Sequence, residues 1–140
     1  VNPDNGNCYW VTYTSPLNGL VARETCVLAG GHLATITSQA ESDFVNALAV
    51  DAYEASLAAT PVVDYYMGAT DDDANSIEGV FVWVSGENFA FTNWRELEPN
   101  DNGPGDAGED CAVIEADNGG TWDDRNCELA PPYGYICERE

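Results

Sequence analysis

Five cysteines in a chain of 140 residues limit what it can fold into more than any other feature. None is spaced as CxxC, and the single histidine, His32, cannot complete a zinc set with them. What remains is disulfide bonding in an oxidising compartment with one thiol left over, and the count leaves several pairings open. Such cross-links often staple domains too small to hold a core, but this chain is large enough to pack one. At this length folding buries roughly 68–70% of the unfolded surface. Hydrophobic residues make up 44% of the chain and aromatic residues 11%. The expectation is one folded domain over residues 1–140, packed as well as stapled.

Charge narrows the partners. Twenty-five acidic residues against four cations give a net charge of −21, and all four cations are arginine (Arg23, Arg95, Arg125, Arg139). So acidic a chain repels phosphate backbones and anionic headgroups, which argues against nucleic-acid and membrane-surface partners. Cations, or neutral ligands reached through cations, fit better. The longest wholly apolar run extends only from Val80 to Val84, and no basic-plus-apolar leader stands at Val1. The chain therefore reads as a mature or excised extracellular module without membrane insertion.

Helical signals come first along the chain and strand signals later. Cys8–Tyr13 is aromatic and β-branched, as a strand would be. Ser15-Pro16 opens a helix in which Ala22, Cys26 and Ala29 recur, and Gly30-Gly31 stops it. A short strand, Leu33 to Ile36, precedes Ser38-Gln-Ala-Glu41, which has the form of a capping box. A second helix then carries Phe44, Leu48, Ala52 and Ala55 on one face as far as Thr60-Pro61. Strands are predicted at residues 62–69, 80–84, 111–114 and 133–137, between loops rich in Gly, Asn, Asp and Pro. This order predicts an α+β fold and not alternating βαβ units. Residues 92–110 are too long and irregular for a simple turn, and loops of that kind usually carry function.

Carboxylates gather in three predicted loops: Asp71-Asp72-Asp73 with Glu78; Glu98 to Asp110; and Asp123-Asp124. Calcium takes six to eight oxygen donors at flexible geometry, whereas zinc prefers nitrogen and sulfur. Each cluster taken alone also suits a solvated acidic surface. The twelve-residue EF-hand pattern is absent, because Asp71-Asp72-Asp73-Ala74-Asn75 lacks its glycine and spacing.

A run of landmarks in order resembles the C-type lectin domain family over nearly the whole chain. They are Cys26 with Gly30-Gly-His-Leu-Ala-Thr-Ile36, Met67-Gly-Ala-Thr-Asp71, and Trp94 with Glu98-Pro99-Asn100. Glu109-Asp110-Cys111, Trp122-Asp123-Asp124, Cys127 and Tyr135-Ile-Cys-Glu138 follow. The resemblance implies the C-type lectin-like fold: two helices, small antiparallel sheets and a long calcium-binding loop region. It implies the pairs Cys26–Cys137 and Cys111–Cys127, leaving Cys8 over.

The resemblance also implies two calcium sites. Glu98, Asn100, Glu109, Asp123 and Asp124 would hold the sugar-binding calcium. Asp71, Glu78, Asp101 and Asp110 would hold a second, supporting one. Glu98, Asn100, Glu109 and Asp123 would also hydrogen-bond two vicinal sugar hydroxyls, carboxylates accepting protons and amides donating. The order Glu-Pro-Asn implies mannose-type sugars with equatorial 3- and 4-hydroxyls, a class that includes mannose, fucose, glucose and N-acetylglucosamine. The partners would be glycans or glycoconjugates, met outside the cell by a secreted or cell-surface lectin, an oligomer or part of a larger adhesin.

This chain departs from the family pattern at Asp123, where asparagine is usual, and in longer stretches at 72–77 and 101–108. Those departures favour an alternative, a calcium-stabilised lectin-like module that binds protein, ice or another surface. An acid–base pair for glycoside hydrolysis is a third reading. Calcium-bound carboxylates stay ionised, though, which suits a ligand and not a general acid, so the expectation is a binding protein and not an enzyme.

Overall fold

The computed structural model describes residues 1–15, 17–74, 76–103, 108–128 and 133–140. Strand β1 (Cys8–Thr12) pairs antiparallel with the last strand of the chain (Gly134–Arg139), Trp10 opposite Cys137. Helix α1 (Gly19–Leu28) follows, and its N-cap is Asn18, whose side chain accepts the Val21 amide at 2.9 Å. The cap predicted at Ser15-Pro16 therefore lies too early, and Pro16 is outside the described residues. Ala22 and Cys26 are the apolar face the helix buries, and Gly30, at φ 83°, takes the left-handed conformation that ends it.

Strand β2 (His32–Leu33) joins that same last strand, with His32 hydrogen-bonded to the Leu33 carbonyl. Helix α2 (Gln39–Ser56) is capped by Ser38, which accepts the Glu41 amide at 3.2 Å. Only half of the predicted capping box forms. The Glu41 carboxylate turns instead to the Thr37 amide and hydroxyl, at 2.6 and 2.9 Å. The buried face is Val45, Ala49, Ala52 and Ser56 rather than Phe44, Leu48, Ala52 and Ala55. The helix is thus rotated by about one position, which puts its smallest side chains against the sheet.

The later strands are β3 (Asp64–Thr70), β4 (Val82–Trp83), β5 (Cys111–Glu115), β6 (Thr121–Arg125) and β7 (Gly134–Arg139). They join in one mixed sheet of order β1-β7-β3-β5-β6, with β3 and β7 parallel and the other pairings antiparallel. Every residue of β3 is buried, Tyr65, Tyr66 and Met67 among the core's largest side chains. Trp122 is fully buried and meets Trp94 edge-on at 5.6 Å.

Strand β6 corrects the sequence reading, which put Asp123 and Asp124 in a loop. Aspartate is a poor strand former, so the segment carries no strand signal of its own. It is made a strand by its partner: Val113 lies opposite Asp123 and Ala112 opposite Asp124.

Both expected disulfides form. Cys26–Cys137 ties α1 to β7, and Cys111–Cys127 ties the start of β5 to the residues just after β6. Cys8 is a free, half-buried thiol. The shorter bridge closes a separation of 16 residues, and chain entropy gives a loop of that size about 3 kcal/mol. A C111S/C127S variant should lose about that much stability in urea denaturation, with a somewhat larger m-value as the unfolded chain expands.

Candidate metal centre

Strand β3 ends where β5 begins and β6 ends, Thr70 standing opposite Cys111 and Cys111 opposite Arg125. Register therefore delivers residues after 70, before 111 and along 123–125 to one end of the sheet. Two trios of carboxylates meet there. Asp71, Glu78 and Asp110 each present an oxygen within 4.8 Å of the others, and Glu98, Asp123 and Asp124 do the same.

Backbone hydrogen bonds build the first trio. The Thr70 hydroxyl donates to the Asp110 carbonyl at 2.6 Å, and the Asp71 amide donates to it at 3.3 Å. The Gly79 amide donates to Asp71 Oδ2 at 2.8 Å, which carries Glu78 inward, and the Ser76 hydroxyl donates to the Asp71 carbonyl. Asp71 is only 7% exposed, yet its Oδ1 is buried without a hydrogen-bond partner. Asp101 lines a cleft of ≈ 360 Å³ with Glu78 and Asp110, but stands outside the trio and accepts the Glu109 amide at 2.8 Å.

The second trio is presented by a tight turn. The Glu98 amide donates to the Arg95 carbonyl at 3.0 Å, while the Arg95 amide holds the Trp122 carbonyl at 2.8 Å. Leu97, the third residue of that turn, has φ 73°, a position that glycine usually fills. The Glu98-Pro99 peptide is cis. The Asp124 carboxylate accepts the Asn100 amide at 3.1 Å and the Asp101 amide at 2.7 Å, which fastens the loop to β6. Glu98 Oε2 is buried and unpartnered, like Asp71 Oδ1. Asn100 and Glu109 stand outside this trio and share the Asn102 amide, at 2.8 and 3.2 Å. Residues 104–107 of the long stretch expected at 101–108 lie outside the described residues, as does Asn75 of the other.

Crowding of acids shows in their protonation. Burial, and then the charges of Asp123 and Asp124, push the Glu98 carboxyl up to about 7. Burial with Asp71 and Glu78 pushes Asp110 up to about 6. Asp71 and Glu109 move the same way, mainly by burial, and Glu78 mainly through the charge of Asp71. Every one of these shifts is what a bound cation would reverse. A donor set of carboxylate, amide and carbonyl oxygens suits calcium, and among the described residues each trio holds one buried oxygen without a hydrogen-bond partner.

Sequence reasoning gave Arg95 and Arg125 no role, yet they flank the second trio. Arg95 Nη2 lies 2.6 Å from Asp123 Oδ2 and 3.1 Å from Glu98 Oε1, and its Nε is 3.3 Å from Glu115. Arg125 Nη1 pairs with the same Asp123 oxygen, and its Nε lies 3.2 Å from Asp64. One signal was present. Residues two apart on a strand share a face, so a strand carrying Asp123 must set Arg125 beside it. Arg95 arrives by tertiary contact from a loop and has no such signal.

The family described as "Lectin C-type domain" matches residues 15–139. Human C-type lectin domain family 10 member A is 34% identical over 137 residues, covering 94% of this chain. The chain spans only 36% of that relative's length. The cow C-type carbohydrate-recognition domain of CD23, solved in the presence of a GlcNAc2Man3 oligosaccharide, superposes with a TM-score of 0.74 at 28% identity. That match covers 95% of this chain and 87% of the other. A calcium-independent type II antifreeze protein superposes equally well, TM-score 0.74, at 21% identity, over 96% of this chain and 87% of the other, and so shares the fold.

The raised carboxyls set a pH dependence for the metal-free protein. Glu98 and Asp110 ordinarily titrate near 4.5 and 3.8 and rise to about 7 and about 6 in the fold. Between those limits the folded state binds more protons than the unfolded state, so stability falls as pH rises. Melting in a chelator should therefore show a lower Tm at pH 8 than at pH 5. With saturating calcium the ligands are held ionised, and the order should reverse.

Proposed function

The chain belongs to the C-type lectin domain family, and from that premise we propose that it binds carbohydrate through calcium. Lectin domains of this family generally bind calcium and bind glycans, and do not catalyse. The finer reading is that residues 1–140 act as one binding domain for mannose-type sugars: mannose, fucose, glucose or N-acetylglucosamine. Glu98, Asn100, Glu109, Asp123 and Asp124 hold the calcium that meets the sugar, and Asp71, Glu78, Asp101 and Asp110 hold a second. The observation that carries this reading is the unpartnered oxygen in each trio, Glu98 Oε2 and Asp71 Oδ1. A buried carboxylate oxygen without a donor is costly, and a cation is the partner that removes the cost.

Calcium bound there supplies coordination positions for two vicinal hydroxyls. The protein's own groups do the rest. The Glu98, Glu109 and Asp123 carboxylates accept hydroxyl protons, and the Asn100 amide donates to a hydroxyl lone pair. Asp124 keeps the loop in place through the Asn100 and Asp101 amides. The expected setting is extracellular, secreted or cell-surface, with glycoconjugates as partners and an oligomer or a larger adhesin as context. Among the described residues no helix is long and apolar enough to cross a membrane.

Asp123 favours a second reading, a lectin-like module that binds ice, protein or another surface, because a carboxylate cannot give a sugar the donor that an amide would. One experiment separates the two. Passed over immobilised mannose in calcium, the protein should be retained and then released by chelator or by free mannose. An E98Q variant should lose on the order of ten-fold or more in calcium affinity by isothermal titration. Passage without retention while calcium still binds would favour the surface-binding module, and retention indifferent to chelator would end the calcium reading.

A further inference from the structure

Asp123 is 1% exposed, and its Oδ2 receives both Arg95 and Arg125. The two arginines are not equivalent. Arg125 is spent inside the protein: Nε is on Asp64, Nη1 on Asp123 and the Asp124 carbonyl, and Nη2 is 3.9 Å from Glu115. Arg95 is the more open, with 40% of its side chain exposed. Its Nη2 bridges Glu98 Oε1 and Asp123 Oδ2, two of the carboxylates assigned to the sugar. Its Nε faces Glu115, and its Nη1 meets no acceptor among the described residues. A guanidinium has five N–H groups in one plane, so the two on Nη1 are left over after Nη2 meets Glu98 and Asp123 and Nε faces Glu115.

A sugar hydroxyl on calcium gives its proton to a carboxylate and needs a donor for its remaining lone pair. Asparagine at 123 would supply that donor, and aspartate cannot. We propose that Arg95 is a specificity-determining residue that donates from Nη1 to a hydroxyl of a neutral sugar, replacing the amide missing at position 123. This rests on the calcium-bridged reading of the Glu98–Asp123–Asp124 trio. The arrangement divides the labour. Arg125 neutralises the extra charge of Asp123 from below, and Arg95 turns the same substitution into a donor at the rim. The carboxylates keep an oxygen for the metal, since Arg95 holds Glu98 at Oε1 and leaves Oε2 unpartnered.

The test is a set of titrations with calcium chloride alone and with methyl α-mannoside in saturating calcium. R95M removes donor and charge together, whereas R95Q removes the charge and keeps a neutral donor. Mannoside affinity should fall about ten-fold in R95M and stay within about three-fold of the parent in R95Q. Without sugar, both variants should bind calcium at least as tightly as the parent, because a cation has left the neighbourhood of its ligands. In a D123N background, where the amide donor returns, R95M should cost less than about three-fold. Mannoside affinity unchanged in R95M, or lost equally in both backgrounds, overturns the donor role. Thermal melting in calcium reports whether each variant is folded, and R95Q, with D123N alone, keeps the comparison open if R95M is not. A parent protein that binds calcium but no mannoside fails at the earlier reading, and the role of Arg95 falls with it.

Discussion

Repulsion among carboxylates at one end of the sheet is the constraint that the rest of this structure answers. Sheet register brings Asp71, Asp110, Asp123 and Asp124 together, and the Arg95–Glu98 turn adds Glu98. Left alone, such a group would splay, since like charges a few ångströms apart repel strongly at low dielectric. The disulfide between Cys111 and Cys127 keeps the ends of β5 and β6 from separating. Protonation relieves the rest in the metal-free protein, where burial first and the neighbouring carboxylates second raise Glu98 and Asp110.

The same geometry explains why two of only four cations in the chain lie here. Arg95 and Arg125 face Asp64, Glu98, Glu115 and Asp123, and none of the trio formed by Asp71, Glu78 and Asp110. The two carboxylate trios therefore differ electrostatically. The one without arginines attracts a cation more strongly, and the one with them trades attraction for an ordered set of donors and acceptors at its rim. A supporting ion and a ligand-facing ion are the roles that this difference suits.

The sequence made much of this legible, unevenly. The helices, their order before the strands, and the acids that converge could all be read from capping residues, helical spacing and the run of family landmarks. Strand β6 could not, because aspartates carry no strand propensity and Asp123-Asp124 becomes extended only by pairing with Ala112 and Val113. The face of α2 was read one position off, because the large Phe44 and Leu48 look like core. The fully buried face is centred on Val45 and Ala49, where close approach needs small side chains, and Phe44 packs half-buried at its edge. Asn18 was overlooked as a cap in favour of the nearby proline. Arg95 was invisible because what gives it a role is a contact across 28 residues with Asp123.

The buried acids away from the two trios provide an internal control for the calcium proposal. Glu41 is 5% exposed and Glu138 2%, in a fold as acidic as this one. Each is fully answered by neutral donors. Glu41 accepts Asn5, Tyr9 and both the amide and hydroxyl of Thr37. Glu138 accepts Asn7 and the Thr35 amide, and shares the single Tyr9 hydroxyl proton with Glu41. Asp64 and Asp123 are answered by arginine, and Asp124 by two backbone amides. The protein thus supplies partners for carboxylates wherever it buries them, and among the described residues the only carboxylate oxygens left buried and bare are one in each trio, Asp71 Oδ1 and Glu98 Oε2. A chain that was acidic merely for solubility would have no reason to leave its unanswered oxygens at those two points. Their placement, more than the number of acids, is what supports the proposal of a cation at this end of the sheet.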